Sequence, residues 1–140
     1  MNSALFARMH GGTTHFPIGL VIASLVFDVL ALIVKDPNHQ SGLRAAGFYS
    51  LQLGALSSFA AVLSGLLLTH GEMFGTGKVA RHHQFLWPAF AMIVGMAVWR
   101  MAVRDSASRK AYGVYLALTL SASCLMAAAG YWGGEILLGG

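Results

Sequence analysis

The chain has 140 residues, of which 56% are hydrophobic and only 10% are charged, and its mean hydropathy is +0.66. A soluble domain of this size leaves too much surface in water to hide so large an apolar fraction, so composition excludes a soluble globular protein. The net charge of +4 comes from nine basic and five acidic residues scattered along the chain, which excludes a nucleic-acid-binding surface. We therefore expect the chain to be embedded in the lipid bilayer.

Four apolar segments follow one another along the chain, at about 16–34, 45–69, 84–99 and 111–134. A membrane-spanning helix needs roughly 20 apolar residues, and polar residues beside the third segment extend it to that length. We predict helices at about 14–35, 42–70, 80–104 and 107–134, the last ending at Gly133-Gly134 as a glycine helix stop. Short connections make neighbours antiparallel. The sequence predicts an all-α fold, with residues 1–140 forming one integral-membrane, up-down-up-down four-helix bundle.

The first segment contains a carboxylate, Asp28, inside its apolar run. Such a group costs several kcal/mol in a membrane unless it is paired or protonated, so it is expected to face protein. It is either a proton-relay or quinone-site group, or a residue satisfied by Tyr49, Gln52 or Arg100 from neighbouring helices. It lies about 20 Å along the helix from His15, and therefore we expect it not to touch the histidines.

Histidines gather at one end of the predicted bundle, which we call the histidine end. His10 precedes the first helix and His15 opens it, His70 closes the second, His82 and His83 open the third, and Glu135 ends the fourth. The opposite end, the basic end, has only His39. Because His82 and His83 are about 100° apart on a helix, at most one of them is expected to point inward. We favour His83, since Trp87 and Phe90 follow it on an apolar face.

This clustering supports three interpretations. Two histidines from facing helices can hold a haem b, with His15 and His83 as the first choice, His70 and His10 as rivals, and Trp87 and Trp132 as walls. Alternatively, three of the histidines and Glu135 hold zinc or copper in a metal-binding or transport protein. In the third interpretation each histidine is an ordinary interfacial residue, and the chain is a cofactor-free anchor subunit.

Basic residues are distributed unequally between the two ends. The histidine end carries Arg8, Lys78 and Arg81, whereas the basic end carries Lys35, Arg44, Arg100, Arg104, Arg109 and Lys110. The excess places the basic end in the cytoplasm by the positive-inside rule. Both termini and the 70–83 loop are then expected on the opposite, periplasmic or exterior side.

The opening His10-x4-His15-Phe16-Pro17, the glycines Gly54 and Gly65, and the closing run GYWGGE (130–135) together form a specific pattern. It resembles a family of small bacterial four-helix membrane proteins catalogued as domain of unknown function 2231, over nearly the whole chain. Members of that family usually open with His-Pro, whereas Gly11 follows His10 here.

Some relatives in that family are joined to Rieske iron–sulfur or cytochrome modules. The resemblance therefore implies an electron-transfer setting in the bacterial inner membrane, and it favours haem over zinc. It also implies a redox partner of cytochrome c or Rieske type, and exchange with the quinone pool. The chain would then be a subunit of an oxidoreductase complex or oligomer more readily than a stand-alone enzyme.

Overall fold

The computed structural model describes residues 3–104 and 106–138, and these residues form four α-helices. The helices are α1 (Ser3–Ile33), α2 (Pro37–Leu68), α3 (Gly77–Val103) and α4 (Arg109–Leu138). Each of them contains a stretch long and apolar enough to cross a membrane. The prediction of an all-α, four-helix membrane bundle is confirmed.

The first and last helices are longer than expected. Helix α1 begins at Ser3, so that His10 and the glycines after it lie inside the helix rather than before it. Helix α4 continues through Gly133-Gly134 to Leu138, and the expected glycine stop is wrong. A glycine costs a helix only about 1 kcal/mol. Inside a membrane, by contrast, a backbone group that leaves the helix finds no water to bind, and so the helix continues.

The connections between helices are short and specified by local chemistry. The carboxylate of Asp36 accepts a hydrogen bond of 2.9 Å from the backbone N–H of His39, and Pro37 occupies the first turn of α2. The loop after α2 turns through positive φ values at His70 (55°), Gly71 (87°) and Gly75 (61°). These turns reverse the direction of the chain, so that α3 begins at the end of the bundle where α2 ends.

Neighbouring helices of the bundle are antiparallel, as the contacts between them show. On α1 and α2, Asp28 approaches Gly47 and His10 approaches Gly65. Helices α3 and α4 are paired in the same antiparallel way, and α1–α4 and α2–α3 contacts close the ring. The helices α1 and α3 therefore lie diagonally across the bundle, and side chains from both can meet only on its axis.

An apolar layer crosses the middle of the bundle, and each helix contributes to it. It consists of Val21, Ala55, Ile93 and Ala122, whose exposed fractions are 0%, 6%, 1% and 0%. Large apolar side chains also cover the outside of the bundle, where only lipid can solvate them. Among these exposed residues are Ile22, Leu53, Leu63, Val98 and Leu120.

Candidate functional site

The histidine end contains a cavity of about 520 Å³ inside the bundle, which we call the histidine cavity. All four helices line it, and its walls are largely apolar. Its lining includes His10, His15, His82, His83 and Trp87. This volume is in the range of small-molecule and cofactor sites.

His82, on α3, is held by the backbone of α4. Its Nδ1 lies 2.7 Å from the carbonyl oxygen of Ala129. Because a carbonyl only accepts hydrogen bonds, Nδ1 carries the hydrogen and donates it. The neutral ring therefore has its lone pair on Nε2. Gly133, one helical turn further along α4, leaves room for the ring: a Cβ there would lie 3.4 Å from Nδ1 of His82.

His10, on α1, is held in the same manner by α2. The Ser64 hydroxyl donates to the Ala61 carbonyl at 2.8 Å, and its oxygen lies 2.9 Å from Nδ1 of His10. With the hydroxyl proton used in this way, the serine oxygen accepts from Nδ1–H, and the lone pair of His10 is also on Nε2. Gly65 is essential to the arrangement, because a Cβ there would lie 2.9 Å from Cε1 of His10.

The two anchored imidazoles come from diagonal helices and lie close together. Their ring centres are 6.4 Å apart and their planes are at 82°. Each ring has one nitrogen engaged by a neighbouring helix and the other, carrying a lone pair, available to a ligand. A hydrogen bond on the distal nitrogen is how metal-binding histidines are usually oriented. The site is thus arranged to present two neutral imidazole nitrogens.

His83 is the most buried histidine, with an exposed fraction of 6%. Its ring centre lies 5.6 Å from that of His82 and 6.2 Å from that of Trp87. Its Nδ1 is buried and has no hydrogen-bond partner among the described residues. The expectation that only one of His82 and His83 points inward is wrong. The cavity is wide enough that residues 100° apart on α3 both reach it.

The remaining predicted site residues occupy different positions. His15 lines the cavity but is exposed, and His70 lies beyond the end of α2, exposed and with a left-handed backbone. Glu135 forms an ion pair with Lys78 (3.6 Å), and Trp132 stacks under Arg81 (4.9 Å). Of the two expected walls, Trp87 lines the cavity, where its indole N–H donates to the carbonyl of Met73 at 2.7 Å.

A second polar cluster lies beyond the apolar layer, toward the basic end. Asp28 is fully buried and forms an ion pair with Arg100 across the bundle axis, with Nη2 of Arg100 2.8 Å from its Oδ1. The hydroxyl of Tyr115 donates to Oδ2 at 2.8 Å. Arg100, counted from the sequence among the charges of the basic end, is 5% exposed and turned inward.

The expectation that Asp28 faces protein and is satisfied by a neighbouring helix is borne out, with Arg100 as its partner. The other two candidates are not involved. Tyr49 is 64% exposed, and Gln52 donates instead to the carbonyl of Ala97 at 3.1 Å. Tyr115 was missed, since a tyrosine near a helix end is equally typical of an aromatic belt.

These features define the class of the protein as a multi-pass α-helical membrane protein with polar groups buried on its axis. Residues 8–138 match the model of the family described as predicted membrane protein (DUF2231), and the chain belongs to that family. The resemblance drawn from the opening and closing motifs is confirmed. No curated protein and no solved structure matches the chain.

Proposed function

We propose that the chain is a membrane-embedded electron-transfer protein similar to b-type cytochromes, in which His10 and His82 would hold a haem iron. The spacing of the two imidazoles supports this most directly. A metal–imidazole bond of about 2 Å puts the ring centre about 3 Å from the metal. Two imidazoles that share one metal ion therefore have ring centres up to about 6 Å apart, and the 6.4 Å observed between His10 and His82 is close to that limit.

The surroundings of the two rings suit a haem better than a bare ion. Among residues 3–104 and 106–138, no three His, Cys, Asp or Glu side chains are placed to hold a metal together. A structural zinc site needs four such ligands, whereas two histidines would suffice to hold a haem. The charge of a bare divalent ion would also be uncompensated in this apolar cavity.

The residues of the chain have distinct roles in this proposal. His10 and His82 supply the ligand nitrogens, while Ser64 and the Ala129 carbonyl keep their protons on Nδ1. Trp87 covers the cavity toward the loop that precedes α3. When bound, the haem would supply one-electron redox chemistry, linking the quinone pool to a redox partner of cytochrome c or Rieske type.

A second candidate function is zinc or copper binding or transport. The Nδ1 of His83 favours it, because this nitrogen is buried, has no hydrogen-bond partner among the described residues and belongs to a ring beside His82. His15, the sequence-based first choice together with His83, lines the same cavity and is its most accessible histidine. A cofactor-free anchor subunit is the third candidate.

The decisive experiment is a dithionite-reduced minus oxidised absorption spectrum of detergent-purified protein expressed with ample haem. We expect a sharp b-type band that is lost in His10→Ala and in His82→Ala and retained in His39→Ala, the control at the basic end. A spectrum lost in His15→Ala and His83→Ala but retained in the first two variants would assign the ligands to the other pair. A flat spectrum with zinc or copper by elemental analysis would favour the second function, and a flat spectrum without metal the third.

We also propose that the histidine end faces the periplasm of a bacterial inner membrane. Five basic residues on the basic end remain near its surface once the buried Arg100 is set aside, against three on the other end. In a Cys124→Ser background, Phe74→Cys at the histidine end should react with an impermeant maleimide in intact spheroplasts. Asn38→Cys should react only after lysis. The reverse pattern would invert the orientation.

A further inference from the structure

A groove of about 610 Å³ lies between α3 and α4, on the half of the bundle that ends at the basic end. Its lining includes Met92, Gly95 and Trp99 on α3, and Ser108, Lys110 and Leu118 around α4. Val114 and Leu118, which also line it, are 55% and 42% exposed, so the groove opens toward the surrounding lipid. It is distinct from the histidine cavity, which Ile93 lines from the inner face of α3.

The groove is apolar along its length and cationic at one end. Among the described residues that line it, Lys110 alone carries a charge. Lys110 lies one residue after the start of α4, at the end of the stretch that is long and apolar enough to cross a membrane. From there to Leu118 the helix rises about 12 Å at 1.5 Å per residue. The groove thus extends from the membrane surface toward the middle of the bilayer.

We propose that this groove binds an anionic phospholipid, with one acyl chain along its apolar walls and the phosphate beside Lys110. The charge at the mouth and the direction of the groove both match this ligand, because a phospholipid chain also runs inward from a charged headgroup at the surface. The exposed Ser108 hydroxyl offers the phosphate a further hydrogen-bond donor. A neutral isoprenoid quinone could also occupy the apolar groove, but it would leave Lys110 without a counter-charge.

The chain offers a matched pair of variants for testing this proposal. A Cβ at Gly95 has no heavy atom within 4 Å, so Gly95→Phe enters the groove without displacing packed atoms. A Cβ at Gly113 is equally free, and Gly113 lies on an exposed part of α4 that does not line the groove. Both substitutions replace a helical glycine by the same residue, but only the first blocks the groove.

The test is native mass spectrometry of the detergent-solubilised protein titrated with phosphatidylglycerol or phosphatidylcholine of identical chains. We expect preferential retention of phosphatidylglycerol, lost in Gly95→Phe and preserved in Gly113→Phe. In Lys110→Gln the affinity for phosphatidylglycerol should fall about fivefold, the contribution of one lysine near an anionic lipid, with no change for phosphatidylcholine. Thermal unfolding of each variant verifies that it is folded.

Several outcomes would overturn the proposal. Equal retention of the two lipids, or equal loss in Gly95→Phe and Gly113→Phe, would show that the groove is not a specific phospholipid site. Binding of ubiquinone that Gly95→Phe abolishes and Lys110→Gln leaves unchanged would assign the groove to a quinone. A wild-type dimer that Gly95→Phe converts to a monomer would assign it to a second copy of the chain.

Discussion

The ion pair between Asp28 and Arg100 predicts a strongly non-additive effect on stability. Removing one partner of a buried pair leaves the other charge uncompensated, which costs about 3–5 kcal/mol. In Asp28→Asn we expect a loss near the lower value, because Arg100 keeps the Tyr115 hydroxyl (2.7 Å) and the Arg44 carbonyl (3.1 Å). In Arg100→Gln the carboxylate keeps only the Tyr115 hydroxyl as a donor among the described residues, and we expect a loss of about 4 kcal/mol.

The double variant Asp28→Asn/Arg100→Gln has no buried charge left. We therefore expect it to lose only about 3–4 kcal/mol rather than the sum of about 7 kcal/mol, a coupling of about 3 kcal/mol between the two sites. The assay is reversible unfolding in mixed micelles of increasing SDS content, followed by circular dichroism. The controls are Glu72→Gln and Lys35→Gln, which remove exposed charges of the same two types and should change stability little. Losses that add to within about 0.5 kcal/mol would refute the ion-pair account.

Three further predictions concern the histidine cavity. Ser64→Ala removes the acceptor that orients its histidine and should weaken haem binding about 10–100-fold in a haem titration, whereas Ser57→Ala, which loses only a bond to its own helix, should not. Gly65→Ala places a Cβ 2.9 Å from an imidazole carbon and should abolish the b-type band, while Gly133→Ala, with its nearest contact at 3.4 Å, should retain most of it; equal loss in both would contradict the packing argument. Asp28→Asn should leave the spectrum unchanged, because the apolar layer separates it from the cavity; a lost band would place the two polar clusters in contact.

The architecture could be predicted from the sequence because lipid permits few alternatives. A spanning segment must be apolar and must satisfy its own backbone, and so the four runs predict the four helices. The pairing of Asp28 with Arg100 could also be anticipated, since both lie at a similar depth near the ends of the parallel helices α1 and α3 and a buried carboxylate needs a cation. Tyr115 could not be singled out, because its ring serves equally well at an interface.

The arrangement of the histidines was harder to predict. The spacing of His10 from the apolar run placed it before the helix, and only the continuous backbone of α1 brings it into the bundle. His83 was favoured over His82 from the sequence, because helical periodicity predicts which face of a helix points inward but not how wide the cavity beside it is. The sequence did contain one indication of the histidine positions, on the helices that pack against them. Gly65 and Gly133 have no side chain, and the rings of His10 and His82 pack against them.

The apolar layer has a consequence for the energised membrane in which such a protein would operate. A membrane that stores a voltage loses it through any continuous chain of water or exchangeable protons. Here Val21, Ala55, Ile93 and Ala122 interrupt that chain, while nearby hydroxyls such as those of Ser58 and Ser123 donate to carbonyls of their own helices. We therefore expect protons that enter at one end of the bundle to leave by the same end. On this argument the bundle would insulate the membrane electrically, with the histidines on one side of the apolar layer and the Asp28–Arg100 pair on the other.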